Sequence, residues 1–535
     1  MAPVFSSPWG TYIILALVGY FVYRQFRSTI RHGKSPPAPK PLPIVGNVRD
    51  LPPPGVPEFR HWLKHKDLYG PISSVTVMDM TLVIVHDKAT ARHLLEQVAS
   101  KTSGRPTMVF ANQLCGYESI ILCQGYTSTF RRYRKLLHQE LGTKASAARF
   151  QDAQEIEVNR QLVRALHEPE KWLQHYKTTA GATVLKMAYG YTVESGKPDA
   201  LVTLIDKMMT EFSLAAVPGA WLVDLIPILR YLPENFPGAT FKKTARKWNQ
   251  SVKTSAFTPY RFVQRQMDAL NHRESYVSRL IIQQFKANSE GKLTSEDENA
   301  IVWTAATLYG AAADTTVITL TAFTLAMILF PRVQWKAQEE IDRVGGGDRL
   351  PTFGDRAKLP YINAMVKEAL RWWPITPMSF PHTATEDLEY NGYHIRKGTY
   401  LLPAVWWFLH DPDVYADPES FDPDRFLSPP NEPDPTSDTS GYGRRICPGR
   451  FFADAGLYLN ILLSLAVFNI GKAVDEFGKE IEVAVDTKPR ILTYPGEFQF
   501  NITPRSEKHA SLVRQLEADL PLELSDAKSL DIVMS

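Results

Sequence analysis

The stretch Gly441-Tyr442-Gly443-Arg444-Arg445-Ile446-Cys447-Pro448-Gly449-Arg450 decides the chemistry of this 535-residue chain. Glycines on both sides of Cys447 let the backbone turn tightly, so that main-chain amides can point at the sulfur. Such amides, together with the neighbouring arginines, stabilise a thiolate, which is the metal-binding form of cysteine. A basic turn with one buried cysteine is the simpler alternative. The apolar helical stretch Phe451 to Phe468, which follows directly, favours the metal-ligand interpretation.

The overall composition is that of an ordinary globular protein, with 44% hydrophobic residues and a net charge of +3. Basic residues are scattered and do not form a stripe with interleaved aromatic side chains, which argues against nucleic-acid binding. The chain has only three cysteines, Cys115, Cys123 and Cys447, so it lacks a disulfide framework and fits a reducing compartment. Neither Cys115 nor Cys123 has the Cys/His spacing of a zinc site.

The N-terminus combines an apolar run with basic residues on one side only. Residues 1–23 carry no charged side chain, and Trp9 to Tyr23 is nearly continuous apolar or aromatic sequence. Residues 9–26 approach the length of a membrane span. Positive charge follows at Arg24, Arg27, Arg31 and Lys34, with no acidic residue before Asp50. This order predicts an uncleaved, single-pass signal anchor with the bulk of the chain in the cytosol, and a buried hydrophobic helix is the alternative.

A proline-rich segment, Pro36 to Pro43, separates this anchor from the rest of the chain. Proline lacks the amide donor and disfavours helix in its predecessor, so the segment predicts a stiff spacer. We therefore divide the chain into a membrane anchor with its basic flank (1–35), a catalytic domain (36–504) and a charged C-terminal tail (505–535), to which the sequence assigns no role.

The catalytic part is predicted to be mostly α with a minor β portion. Most of residues 88–350 has helical periodicity. Strand-like alternation is confined to short pieces, namely Ser73 to Val77, Leu82 to His86, Tyr390 to Pro403 and Ile491 to Ile502.

One predicted helix is unusually long and apolar. A capping box of Ser295 and Glu298 marks its start, and the segment Ala300 to Phe330 contains a single charged residue, Asp314. A lone carboxylate in such a segment is costly unless it is paired or functional. Asp314 and the adjacent hydroxyl of Thr315 favour a buried helix over a membrane span.

Two further motifs lie between this helix and the cysteine. Glu368 and Arg371 fall on one face of the helical segment Ile362 to Trp373, where they can form an ion pair. Taken alone, such a pair is usually a solvated surface contact. The second motif, Phe421-Asp422-Pro423-Asp424-Arg425-Phe426, lies some twenty residues before Cys447.

In their order and spacing these motifs resemble those of the haem-thiolate monooxygenases, the cytochromes P450, and more closely the membrane-bound fungal branch. The resemblance covers residues 36–504 and implies the cytochrome P450 fold, with haem b held by Cys447. It departs from the family's usual residues at Phe130, Ala312 and Ser440.

The resemblance also implies roles for individual residues. Gly310 to Thr316 is similar to the family's oxygen-activation segment, in which Asp314 and Thr315 would manage protons during dioxygen activation. Arg425 would join Glu368 and Arg371 in a buried charge triad that fixes the cysteine loop and helps to retain haem.

Haem propionates require cationic partners, and the guanidinium fork of arginine matches a carboxylate best. Arg445, two residues before the cysteine, is the first candidate. Arg134 is the second, because Phe130 to Arg134 is similar to the family's Trp-x-x-x-Arg motif. His382 stands where the family often has a propionate-binding residue, and a purely structural histidine is the alternative.

The resemblance implies a monooxygenase of the endoplasmic reticulum membrane that oxidises a lipophilic small molecule, with electrons from NADPH–cytochrome P450 reductase. The chain itself carries no Gly-rich flavin or dinucleotide fingerprint. The resemblance also assigns pocket positions, nearly all of them apolar or aromatic, which imply a hydrophobic substrate: Phe110 to Ile121, Met208 to Leu232, Leu308, Ala312, Ala313, Ile375 to Phe380, and Tyr494. Similarity to fungal secondary-metabolism enzymes suggests that this substrate is a natural-product intermediate. Desaturation, coupling or rearrangement without net oxygen insertion, and a non-catalytic haem sensor or carrier, remain as alternatives.

Overall fold

The computed structural model describes Gly19 and residues 34–534, apart from 54, 79, 195–196, 218, 289–291, 346, 489–490 and 521–522. Except for Gly19, the predicted anchor over residues 9–26 lies outside the described residues.

Helices make up most of the described chain, which confirms the predicted class. The α-helices are α1 (Glu58–Tyr69), α2 (Lys88–Arg92), α3 (Ala99–Thr102), α4 (Ser128–Leu141), α5 (Lys144–Ala148), α6 (Gln151–His167), α7 (Trp172–Tyr189), α8 (Ala200–Ala215), α9 (Leu222–Leu225), α10 (Thr240–Asp268), α11 (Tyr276–Ala287), α12 (Ser295–Leu329), α13 (Pro331–Gly345), α14 (Pro360–Trp372), α15 (Val405–His410), α16 (Thr436–Thr439), α17 (Arg450–Val467), α18 (Glu507–Asp519) and α19 (Ala527–Met534).

The β portion is small and consists of short strands. They are β1 (Ile72–Val77), β2 (Met80–Val85), β3 (His382–Thr383), β4 (Leu388–Tyr390), β5 (Tyr393–Ile395), β6 (Tyr400–Pro403), β7 (Phe468–Gly471), β8 (Thr487–Lys488), β9 (Tyr494–Pro495) and β10 (Asn501–Pro504). The largest sheet has the order β1-β2-β6-β3, in which β2 and β6 are parallel and the other pairs antiparallel. Its last strand places His382 opposite Leu401.

Tighter and wider turns connect these elements. The 3₁₀ turns are Val48–Asp50, Tyr117–Ser119, Pro169–Lys171, Pro227–Tyr231, Phe353–Lys358, Pro423–Phe426 and Gly443–Arg445, and the π-helical turns are His93–Gln97 and Val109–Leu114.

Helix α12 runs through the centre of the molecule. Its N-cap is Thr294, whose hydroxyl accepts a hydrogen bond from the amide of Asp297 at 3.1 Å, so the capping box predicted at Ser295 is wrong by one residue. Two adjacent hydroxyl residues can each cap a helix, and the sequence pattern does not distinguish them. Helices α12 and α17 are long and apolar enough to cross a membrane, yet both are mostly buried inside the protein. For α12 this is the arrangement predicted from Asp314.

A buried charge cluster fixes the segment that leads to the cysteine. Arg371 donates to both carboxylate oxygens of Glu368 at 2.7 Å, and Arg425 donates to the same carboxylate at 3.2 Å. All three side chains are buried. Arg371 also donates to the carbonyls of Leu409 and Pro418, so one guanidinium joins α14 to α15 and to the chain that follows α15. Removing one member of such a cluster typically costs about 3–5 kcal/mol.

The C-terminal segment packs against the catalytic body. Ala510 and Val513 of α18 are buried, and Val513 belongs to the core that also contains α6 and α17. Further along, Asp526 forms an ion pair with Arg273 at 2.5 Å and accepts a hydrogen bond from the amide of Thr192 at 2.7 Å. The region treated as a charged tail in the sequence therefore covers apolar surface of the main body.

Candidate active site

The loop around Cys447 is held by its backbone. The amide of Cys447 donates to the carbonyl of Ser440 at 2.8 Å, which closes the turn immediately before α17. Gly443 has a φ of +51°, and a Cβ at this position would lie 2.3 Å from the carbonyl oxygen of Leu95. Only glycine fits there, so the loop can press closely against the turn His93–Gln97.

Opposing effects act on the thiol of Cys447. Its side chain is accessible to solvent, yet enough protein surrounds the thiol for burial to raise its pKa. The amide of Gly449 and the guanidiniums of Arg134 and Arg450 act in the opposite direction and lower that pKa. Amide and cationic partners of this kind stabilise a thiolate, as the sequence predicted for this loop.

Arg445 extends from the cysteine loop into a buried cationic region. Its guanidinium donates to the carbonyls of Ser103 and Gln124 at 2.7 Å and lies 3.8 Å from the ring centroid of Phe130. Burial, with Arg105 and Arg134 nearby, lowers the pKa of Arg445 to about 8. Because a guanidinium gives up its proton only reluctantly, this penalty is relieved chiefly by a bound anion.

Arg105 belongs to the same region, and sequence reasoning missed it. It donates to the carbonyls of Phe380 and Pro381 at 2.9 Å and to that of Leu122 at 3.0 Å. Burial lowers the pKa of Arg105 to about 9. No local motif marks this arginine, because its partners lie up to 276 residues away in the chain.

The two remaining candidates lie beside these arginines. Arg134 of α4 donates to the carbonyl of Ile446 at 2.7 Å, directly next to the cysteine. His382 is buried, and its Nδ1 lies 3.0 Å from the carbonyl of Thr102. Burial and Arg105 lower the pKa of His382 well below its ordinary value, so its ring is neutral at physiological pH.

This donor set fits haem. Among the described residues, no ion pair joins Arg105, Arg134 or Arg445 to a carboxylate, although buried charges are normally paired. The propionates of haem would supply the missing negative charge. Nor does any group of three or more His, Cys, Asp or Glu side chains in the described part of the chain suit a metal ion, so iron would depend on the single sulfur of Cys447.

On α12 the predicted acid and alcohol have different partners. The Thr315 hydroxyl donates to the carbonyl of Ala311 at 2.9 Å, one turn back on the helix. Asp314 is buried, and its carboxylate accepts a short hydrogen bond from the phenol of Tyr494 in β9. The buried carboxylate of Asp314 was predicted to need a partner, and Tyr494, 180 residues away in the chain, is one such partner.

The predicted pocket segments also meet at α12. A Cβ at Gly310 would touch Met208 and Met209 of α8 at 3.5 and 3.4 Å. The ring of Phe212 lies 5.0 Å from that of Tyr117 and 6.1 Å from that of Phe380, measured between centroids. Three segments that are distant in sequence therefore form one apolar wall beside residues 310–316 of α12.

The comparison with protein-family models decides the assignment. The model for Cytochrome P450 matches residues 36–491. The chain belongs to the cytochrome P450 family. It is a cytochrome P450 monooxygenase, and haem b is its cofactor.

Individual relatives cover nearly the whole chain. Cytochrome P450 monooxygenase CLM2 of Gibberella zeae is 47% identical over 520 residues, which span 97% of this chain and 98% of the relative. The multifunctional cytochrome P450 monooxygenase af510 of Aspergillus fumigatus is 46% identical over 520 residues, or 96% and 97% of the two chains. O-methylsterigmatocystin oxidoreductase of Aspergillus flavus is 37% identical over 504 residues, or 94% and 93%.

The rate of haem release from this cytochrome P450 tests whether Arg105 helps to hold the cofactor. We expect Arg105→Leu to release haem roughly tenfold faster or more, because a hydrogen bond to a charged group typically contributes about 1.5–3 kcal/mol. Haem transfer from the loaded protein to apomyoglobin, followed by absorbance, measures the rate. Arg444→Leu removes an exposed arginine from the cysteine loop and serves as the control. Equal release rates for the two variants would exclude Arg105 from haem binding.

Proposed function

We propose that this cytochrome P450 binds haem b through the thiolate of Cys447 and oxidises a lipophilic small molecule, namely a fungal natural-product intermediate. The observation that carries the proposal is the juxtaposition of an amide-held sulfur with the buried Arg445 and the half-buried Arg105 and Arg134, which have no carboxylate partner among the described residues. Arg105, Arg134 and Arg445 would hold the propionates, with His382 beside them. When bound, haem with a thiolate ligand supplies the chemistry that cleaves the O–O bond of dioxygen.

The protein contributes positioning and proton transfer. In the proposed mechanism the hydroxyl of Thr315 holds a water molecule, and Asp314 exchanges protons with that water while Tyr494 orients the carboxylate. The apolar wall of α8 and Phe380 excludes bulk water and favours a hydrophobic substrate.

Electrons would come from NADPH–cytochrome P450 reductase. Arg131 and Arg444 are both exposed, and their guanidiniums lie 5.7 and 4.9 Å from the ring centroid of Tyr126. This places two cations on one surface beside the cysteine loop. Together with the exposed Lys135, they suit an acidic partner that approaches close to Cys447.

We place the protein in the endoplasmic reticulum membrane, with a single span and a cytosolic catalytic domain. The charge order around residues 9–26 supports this placement. So does the exposure of apolar side chains between residues 222 and 236: Leu222, Ile228, Tyr231 and Phe236 are 65%, 72%, 70% and 51% exposed. Apolar side chains so close together on a surface are typical of a membrane or protein contact.

Ligation by Cys447 can be tested by spectroscopy. The reduced wild-type protein with carbon monoxide should show the red-shifted Soret band of thiolate ligation, and Cys447→Ala should lose it. Ser440→Ala keeps the carbonyl that accepts from the Cys447 amide, so it should retain the band. A thiolate spectrum in Cys447→Ala would show that another residue is the ligand.

Proton transfer can be tested by product yield. Because proton relay typically contributes about 10²–10⁴ in rate, Thr315→Ala should still bind haem but divert NADPH-derived electrons to hydrogen peroxide. Peroxide and NADPH are measured with reductase and a compound chosen because it shifts the haem absorbance. Thr321→Ala removes a comparable hydroxyl, bonded at 2.8 Å to the carbonyl of Val317, and should remain coupled. Full coupling in Thr315→Ala would assign this threonine to structure alone.

Labelled dioxygen in the same assay separates oxygen insertion from desaturation or rearrangement.

The membrane topology can be tested by glycosylation. The sequons at Asn249 and Asn501 should carry no glycan when the protein is expressed in a eukaryotic host, because a cytosolic domain never meets the lumenal glycosylation enzymes. Asn501 is exposed, so its side chain is accessible. An acceptor sequon fused before Met1 should be modified and gives the positive control. Glycan on Asn501 would reverse the proposed orientation.

A further inference from the structure

An aromatic latch joins two segments of the apolar wall. We use this name for Phe110, Trp221 and Trp248, together with the carboxylate of Asp224. The rings of Phe110 and Trp221 are stacked at a centroid distance of 3.5 Å and an angle of 10°. Trp248 of α10 meets both rings edge-on, at 5.6 and 5.7 Å. Such packing contributes beyond the area that it buries, so these rings hold the two segments against α10.

Asp224 adds a polar tie to the same contact. One of its carboxylate oxygens accepts a hydrogen bond from the amide of Phe110 at 2.8 Å, and the amide of Val109 also stabilises the carboxylate. These amides open the π-helical turn Val109–Leu114 and have no partner within it, so the carboxylate caps the turn from another segment. Burial raises the pKa of Asp224 to about 6, which leaves the group ionised at pH 7.5.

The latch lies next to the proposed reaction site. In the segment that contains Phe110, the Tyr117 hydroxyl donates to the carbonyl of Met208 at 3.1 Å. Met208 in turn lies against Gly310 of α12. Gly310 precedes Thr315 by five residues, or about 7.5 Å along the helix axis. A shift of the latched segments would therefore change the space beside residues 310–316 of α12.

The outer side of the latch is only lightly held. Leu222 and Ile228, on either side of Asp224, are 65% and 72% exposed. Helix α9, which begins at Leu222, has four residues, too few to be stable without tertiary contacts. Its position depends on the buried Val223, on the Trp221 stack and on the Asp224 hydrogen bond, so losing either of the last two contacts would loosen the segment while Val223 keeps its place in the core.

We propose that Trp221 and Asp224 determine specificity by size: they hold the Phe110 segment closed against α8 and so limit the bulk of molecules that reach the haem. This inference rests on the proposed function, because it assumes that haem lies at Cys447. Trp221 and Asp224 act through Phe110 and the wall behind it, so they are positioning residues and not catalytic ones.

Azoles that ligate haem iron test the inference without knowledge of the substrate. Binding of imidazole and of the bulky azole clotrimazole to the haem-loaded protein is followed by stopped-flow absorbance at pH 7.5. We expect Trp221→Ala and Asp224→Ala to raise the association rate of clotrimazole roughly tenfold, as expected when a charged hydrogen bond or an aromatic contact is lost. The imidazole rate should hardly change, because a small ligand passes the closed wall.

Conservative variants separate the latch from a general loss of stability. Trp221→Phe keeps an aromatic stack and should restore most of the size discrimination, and Asp224→Asn keeps one acceptor oxygen and should lie in between. Asp206→Asn removes an exposed carboxylate of α8, which pairs with Lys177, and should behave as wild type. Haem content and the carbon monoxide spectrum are recorded for every variant.

Two results would overturn the inference: a clotrimazole rate that is unchanged in Asp224→Asn and in every alanine variant that retains haem, or an equal acceleration of both azoles. Failure of the proposed function looks different, because the wild-type protein would then show no azole-induced shift of a haem band at all.

Discussion

The buried carboxylate of Glu368 is the charge on which the chain leading to Cys447 depends. It lies with no exposed surface between Arg371 and Arg425 and also accepts the amide of Asp422, so one side chain joins α14 to the chain that precedes the cysteine loop. Buried charges are tolerated only when every member is paired, and each partner here is fixed by further bonds to backbone carbonyls. The cluster therefore specifies one path for residues 409–432, and the position of Cys447 follows from that path.

The opposite arrangement holds at the proposed propionate site, where Arg445 is buried, Arg105 and Arg134 are half-buried, and none of the three has a carboxylate partner among the described residues. Arg105 and Arg445 are satisfied by carbonyl oxygens, which complete their hydrogen bonds but do not neutralise their charge. Withdrawing these unpaired charges from water costs free energy in the protein without haem, and the two negative charges of the haem propionates would offset that cost. In this assignment Arg371 stabilises the fold through a carboxylate of the protein, whereas Arg105 and Arg445 would bind the carboxylates of the cofactor.

Sequence reasoning succeeded where function is encoded in short, contiguous motifs. The fold class and the central buried helix follow from periodicity, and the family follows from ordered motifs, of which Glu368, Arg371 and Arg425 prove to be in contact. It failed where two distant segments meet. Arg105 contacts Phe380 across 275 residues, Asp314 contacts Tyr494 across 180, and Asp224 caps Phe110 across 114. No local sequence pattern indicates these contacts, because they depend on how the helices pack.

Asp314 has a second consequence, which concerns how this protein is made. By length and composition α12 is apolar enough to cross a membrane, so insertion machinery that met this segment during synthesis could treat it as a span. An aspartate at the centre of such a segment raises the free energy of insertion by about 2.5–3.5 kcal/mol. The residue proposed for proton transfer thereby also favours the aqueous route for a helix that the bilayer would otherwise accept.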